Sequence, residues 1–240
     1  MCGRFSQAYT WEDVYAFSQP LTVPAAPAPN LQAHYNLSPT NEVDVIVWSG
    51  QGRALKKARW GLVPPWHKGP LKGVVPHINA RLETIDTNKL FNRAFVKNRC
   101  IIPASGFYEW TGPKEDRIPH FISHANGTLM AFAGIWERWR NPETGEEIVS
   151  CSIITREANT WMSQLHDRMP AMLHPADFDH WLQGHGGKDL LMQPPPEMRE
   201  WIVHKRMNRA GVGDDDPATC APAPAEEPVA PEPPVQGSLI

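Results

Sequence analysis

The chain has 240 residues, 41% of them hydrophobic, with ten tryptophans and a formal net charge of −3. That is enough apolar mass for a buried core in one domain or two small ones, and no stretch reaches the ~18 apolar residues that a membrane span needs. The charge is uneven: six of the 26 acidic residues and none of the 23 basic ones fall in 213–240, leaving +3 over residues 1–212, so a nucleic-acid partner is permitted through a local patch but not demanded.

The opening MCGRF has no basic segment followed by an apolar stretch, so a cytoplasmic or nucleoid location is expected. Residues 10–19 (TWEDVYAFSQ) predict a helix, with Thr10 as N-cap and Asp13 in capping-box position. The Pro-rich stretch 19–30 reads as a surface connection. Strands are expected at 43–49 (VDVIVWS), 100–110 (CIIPASGFYEW), 119–124 (PHFISH), 128–139 (TLMAFAGIWERW) and 149–155 (VSCSIIT), which are rich in β-branched and aromatic residues. Asn126-Gly127 is the strongest hairpin signal, and Asn141-Pro142 with Thr144-Gly145 marks a second turn. Further helices are expected at 87–96, 157–165 and 175–183, the last opened by His174-Pro175. A second Pro-rich connection spans 192–198. Residues 213–240 hold seven prolines and charge of one sign, a composition that cannot offset its ordering entropy. The expected organisation is therefore a body at 1–213 and a disordered acidic tail at 214–240. Strands outnumber helices without a β-α-β rhythm or a repeat. The expected fold is a single β-rich α+β domain, a mostly antiparallel, barrel-like sheet with short flanking helices.

Cys2, Cys100, Cys151 and Cys220 show no Cys-x-x-Cys spacing, and Cys100 and Cys151 lie in apolar runs expected to be buried and inert. Cys2 differs: removal of Met1 leaves an amine and a thiol on one residue. Glu109, in GFYEW, shares a strand face with Phe107, and a carboxylate among aromatics is poised for acid–base work unless a surface cation pairs with it. His166 precedes Asp167-Arg168 and is either a proton donor near neutral pH or a loop histidine beside a local ion pair. Asn79 and Arg81 share a face if INAR is extended, as orienter and anion ligand or as turn residue and salt bridge. Trp66 and His67 lie on a Pro-stiffened loop, and core packing is the ordinary use of such a tryptophan. His120 and His124 are four apart on a segment that reads as a strand, with no third ligand evident, so no metal or other cofactor is expected.

In order, MCGRF, HYNLSP (34–39), WGLVPPW (60–66), INARLET (78–84), SGFYEW (105–110) and LHDRMP (165–170) resemble the motifs of the SOS response-associated peptidase family over residues 1–212, up to VHKRMNRAGVGDDDP. The insertion at 19–30, the second Pro of VPPW and the acidic tail depart from that pattern. The resemblance implies a protein that senses abasic sites in single-stranded DNA and cross-links to them covalently, in SOS and replication-fork repair, with autopeptidase and lyase-like character and no membrane partner. A monomer is expected. It also implies roles: Cys2 as nucleophile, Asn79 as orienter, Glu109 as general base and His166 as acid. Arg4 and Arg81, and more weakly Arg168, would hold phosphates, with Trp66 and His67 against bases. The chemistry of MCGRF agrees. A neutral α-amine forms a Schiff base with the sugar aldehyde, and the thiol of the same residue closes a five-membered thiazolidine. Two rivals stand beside it: a Cys2–His166 thiol peptidase that cleaves its own N terminus or other peptides, and a noncovalent single-strand binding module.

Overall fold

The computed structural model describes residues 2–19 and 30–224. The expected surface connection at 19–30 therefore falls almost wholly outside the described residues, as does 225–240 of the expected tail.

The first strand, β1 (Phe5–Gln7), leads to helix α1 (Trp11–Phe17), and Thr10 and Asp13 form the expected reciprocal capping box. Strands β2 (His34–Leu37), β3 (Glu42–Trp48), β4 (Arg53–Trp60) and β5 (Asn79–Arg81) precede helix α2 (Asn92–Lys97). Then come β6 (Arg99–Ala104), β7 (Gly106–Thr111), β8 (Ile118–His124), β9 (Met130–Arg140) and β10 (Glu147–Glu157). The chain continues through β11 (Arg168–Pro170), α3 (Phe178–Leu182) and β12 (Met198–Ile202). One sheet has the order β12-β8-β7-β1-β2 and is antiparallel throughout. The other runs β11-β10-β4-β3-β6-β9, with β5 beside β10, and only β10–β4 and β10–β5 are parallel. Because β9 also pairs with β10, this sheet curls on itself, which gives the mostly antiparallel architecture its barrel-like character. No helix among the described residues is long and apolar enough to cross a membrane.

Alternation along the strands builds two large cores and a small third one around Tyr108, Phe121, Val203 and Met207. On β6, Cys100 and Ile102 face a core shared by the two sheets, with Cys2, Phe5, Trp60, Phe107 and Phe132, while Ile101 faces the layer holding Val14, Phe95, Phe178 and Trp181. Cys100 and Cys151 are buried as expected, and burial pushes the Cys151 thiol up to about 12. The amino-terminal strand is pinned by Phe5, whose ring meets Trp60 edge-on at 4.8 Å and Phe132 at 6.3 Å. An aromatic of this size contributes about 2–3 kcal/mol on burial, enough to hold a short terminal strand in place.

Several local expectations are corrected. Asn126-Gly127 does form a tight turn, with Gly127 N–H donating to the His124 carbonyl, but it joins β8 to β9, which lie in different sheets. Hairpins form instead at the Asn141–Gly145 turn between β9 and β10, between β3 and β4, and between β7 and β8. The run 100–110 divides at Ser105, where the chain also changes sheet. Gly106 is required there, since a Cβ would stand 2.3 Å from the Phe121 ring. The segment 157–165 winds only one 3₁₀ turn (Met162–Gln164), and α2 begins at Asn92. β4, RALKKARW, has too many lysines to read as a strand, but Lys57 sits directly opposite Asp44 on β3 and meets it at 3.0 Å.

Residues 214–224, grouped with the tail by composition, make specific contacts with the body. Asp214 accepts from the backbone N–H of Asn36 at 2.8 Å and pairs with His34 at 2.6 Å. Asp216 pairs with Arg206 and caps a 3₁₀ turn at Pro217–Thr219, and Val203 bridges to Pro222. Asp214 and Asp216, which made this stretch look like tail, are used as hydrogen-bond acceptors, so 214–224 is packed onto the body.

Candidate active site

The β1–β7 register decides where Cys2 goes. Phe5 pairs with Phe107, and Tyr108 N–H donates to the Arg4 carbonyl at 3.0 Å. Extending that register sets Gly3 opposite Glu109, with Cys2 just beyond. Cys2 is fully buried in the shared core, behind a cavity of about 820 Å³ whose walls include Gly3, Arg4, Glu109, Trp110, Arg117 and His166. From the other sheet, Asn79 at the start of β5 donates Nδ2–H to the Cys2 carbonyl at 2.9 Å. The Asn79 Oδ1 is buried without a hydrogen-bond partner among the described residues. The amino-terminal segment thus bridges both sheets at the point where three expected residues converge: Cys2, Asn79 and Glu109.

Electrostatics distinguish the groups. Burial pushes Glu109 up to about 7, with the charge of Asp167 adding to the effect. Burial and then the Glu109 charge push the Cys2 thiol well above its ordinary value, so sulfur rests as the neutral thiol. His166 lies between the 3₁₀ turn at 162–164 and β11, and burial pulls it below its ordinary value. Its Nδ1 lies 2.9 Å from the Arg168 backbone N–H and 2.7 Å from Asp167 Oδ1. One ring nitrogen cannot accept from the first and donate to the second. The backbone N–H is fixed by the chain, whereas the Asp167 side chain is 84% exposed. The Nδ1 lone pair therefore goes to Arg168, and the proton of the neutral ring is assigned to Nε2.

The basic residues divide. Arg4 lines the cavity, and its guanidinium meets Asn36 Oδ1 at 2.7 Å and the Met207 carbonyl at 2.9 Å, with no carboxylate in contact among the described residues. Arg81 is exposed on β5, two residues from Asn79. Arg168 is buried and bidentate to Glu83 at 2.8 and 2.9 Å, with a further bond to the Thr155 carbonyl, so both of its terminal nitrogens are engaged and it stands outside the cavity wall. Trp66 is 53% exposed on the β4–β5 connection. His67 beside it packs its ring 5.8 Å from that of Trp139. Neither lines the cavity. Trp60 is core, the alternative weighed for Trp66. His120 is held by Glu200 and Thr111, and no group of three or more His, Cys, Asp or Glu able to hold a metal occurs among the described residues.

Trp110, Lys114, Arg117 and Asn208 also line the cavity and were not anticipated. Trp110 Nε1–H donates to Asn208 Oδ1 at 2.7 Å, and Asn208 Nδ2–H to the Arg117 carbonyl at 3.1 Å. The only sequence signal was the charged turn TGPKEDR after GFYEW; nothing in the chain links it to Asn208, about 90 residues away.

The model of the SOS response-associated peptidase (SRAP) family matches residues 1–210. The chain belongs to that family. Curated relatives of this SRAP chain include the abasic site processing protein YoqW of Bacillus subtilis, 39% identical over 187 residues that span 76% of this chain and 80% of that one. YedK of Escherichia coli, which carries the same description, is 32% identical over the same length and shares. HMCES of Xenopus tropicalis, also described as an abasic site processing protein, is 29% identical over 170 residues, 59% of this chain and 51% of that one. A crystal structure from Bacteroides thetaiotaomicron superposes with a TM-score of 0.78 at 24% identity, over 92% of this chain and all of the other, a likeness of fold. A phage-related protein from Bordetella bronchiseptica superposes at 0.65 with 27% identity, over 85% and 95% of the two chains.

Proposed function

We propose that this protein processes abasic sites in single-stranded DNA by capturing the open sugar on Cys2 as a covalent thiazolidine. The observation that carries the reading is the meeting of Cys2, held by Asn79, with a Glu109 pushed up to about 7, at the edge of a cavity whose wall carries Arg4, Lys114 and Arg117 beside Glu115. The names of the relatives support the lesion class.

The residues suit each step. Met1 leaves first, by an aminopeptidase or by the protein's own activity, freeing the Cys2 amine. His166 passes its Nε2 proton to the ring oxygen of the sugar hemiacetal as the bond from that oxygen to C1 breaks, and the same nitrogen takes the proton of the C1 hydroxyl, leaving the aldehyde and the neutral ring. Glu109, near half ionised at neutral pH, takes a proton from the α-ammonium, and Asn79 Oδ1 accepts from the amine and aims it. Nitrogen bonds to C1 and one water departs, giving the imine. Sulfur, neutral until then, bonds to C1 while its proton passes to nitrogen. The net change is the loss of a single water. Amine attack precedes sulfur because burial holds the thiol protonated. Arg4 and Arg81 meet phosphates beside the lesion, and Trp66 with His67 meets bases at one side of the site. The protein acts as a monomer, in the cytoplasm or nucleoid and in a replication-fork setting.

The test is intact mass after incubation of the Met1-free protein with a single strand bearing one abasic site. The expected product is protein plus DNA less one water, absent with Cys2→Ala. Equal yield from Cys2→Ala rejects the assignment. The rival thiol peptidase predicts cleavage of added peptides and indifference to abasic strands. The noncovalent module predicts binding without any covalent product.

A further inference from the structure

The motif HYNLSP has no part in the chemistry above, yet its Asn36 is fully buried in the wall behind Arg4. Its Oδ1 accepts from Arg4 at 2.7 Å. Its Nδ2 donates to the carbonyls of Val212, Arg209 and Met207 at 2.8, 3.2 and 3.4 Å. Behind it, Asp214 takes the Asn36 backbone N–H at 2.8 Å, and the Asp214 carbonyl takes the Tyr35 N–H at 2.8 Å. The neutral amide of Asn36 therefore joins β2, residues 207–212 and Arg4, and its backbone N–H ties in Asp214.

The arrangement has an electrostatic consequence. The Arg4 contacts run chiefly through Nη1, which also meets the Met207 and Arg209 carbonyls, while Nη2 makes one long contact of 3.4 Å to the Asn208 carbonyl. Its Nε meets no acceptor among the described residues. An arginine held by a carboxylate would be locally neutralised; held by an amide and carbonyls, it keeps its charge and leaves little used the Nε–Nη2 edge, the edge that takes two phosphate oxygens at once.

We infer that Asn36, backed by Asp214, is a positioning residue that orients Arg4 for a DNA phosphate without cancelling its charge. This rests on the proposed reading that Arg4 meets DNA. It names two residues outside the reacting set, and it gives Asp214 a place in the site.

The test uses a single-stranded oligonucleotide carrying a tetrahydrofuran abasic analogue, which has no aldehyde and reports noncovalent binding. Asn36→Ala and Asn36→Asp are each expected to weaken binding by about tenfold. Both should lower the slope of log affinity against log salt by ~0.7, the single-strand value for one phosphate contact, as Arg4→Ala does. Asn36→Asp makes the sharper case, since it keeps an acceptor for Arg4 and adds the cancelling charge. Asn36→Ala combined with Arg4→Ala should lose no more than Arg4→Ala alone. Should the Asn36 variants fail to fold, Asp214→Ala is expected to show the same slope change and Asp214→Asn, which retains the acceptor, to restore it. Variants that bind with wild-type affinity and slope, or losses that add to that of Arg4→Ala, overturn the inference alone. A wild-type protein that does not bind the strand overturns the functional reading and this inference with it.

Discussion

Asn79 Nδ2 reaches the Cys2 carbonyl at 2.9 Å from the opposite sheet. It is the contact that ties the amino-terminal strand, paired to β2 and β7, to β5 and β10. Orientation of an amine at a carbonyl carbon is sensitive to displacements of about 1 Å, which can cost a factor of about 10². Asn79→Ala is therefore expected to slow cross-linking by about 10- to 100-fold while leaving affinity for the tetrahydrofuran strand within about twofold. Single-turnover kinetics beside a binding isotherm measures both. A loss of affinity with an unchanged rate would reassign Asn79 to binding.

Glu109 gives a stability prediction whose sign follows from its environment. Burial raises its carboxyl from an ordinary 4.5 to about 7 in the folded state. Between those values the folded protein binds more protons than the unfolded chain, so this group's contribution falls as pH rises through the window and stays low above it. Glu109→Gln removes the penalty. The variant should match the wild type at about pH 4 and exceed it by about 2–3 kcal/mol at about pH 8, read from denaturant melts across that range. A difference that does not change with pH would mean that Glu109 does not titrate there.

The same carboxyl shapes the rate. Its ionised form is the base, so cross-linking should rise with pH through about 7. In Glu109→Gln this limb should disappear and the remaining rate should be low. A pH profile identical in the two proteins would remove Glu109 from the base role.

How much of this was legible in the chain depends on whether a signal was local. The Thr10–Asp13 box and the alternation of Phe107 and Glu109 against Tyr108 and Trp110 were legible, because each is set within a few residues. The sheet change at Asn126-Gly127 was not, because a turn sequence fixes backbone dihedrals and not the partner of the strand that follows. β4 was hidden by its two adjacent lysines, one of which, Lys57, is balanced by Asp44 on another strand. Cys2, Asn79, Glu109 and His166 were legible as a set only through the order of family motifs; their spacing carries no geometry until β5 and β7 are brought together. Asn36 was missed as a hub because its partners lie as far as 178 residues away.

Arg168 tests the division among the basic residues. Its bidentate pair with Glu83 and its bond to the Thr155 carbonyl make it a structural cation. Arg168→Ala should cost about 1–3 kcal/mol, below the range for a fully buried pair because Glu83 is partly exposed. The salt dependence of DNA binding should be unchanged, whereas Arg81→Ala should lower that slope by ~0.7 with little loss of stability. A reduced slope in Arg168→Ala would return it to the phosphate contacts.

The most direct test is to locate the adduct in the sequence. Protein and abasic single strand are incubated without reductant, digested with protease and nuclease, and the modified peptide is sequenced by mass spectrometry. The sugar remnant should sit on an amino-terminal peptide that begins at Cys2, with both nitrogen and sulfur of that residue consumed and no free thiol there. A remnant on a lysine, or on a peptide that still carries Met1, would contradict the account.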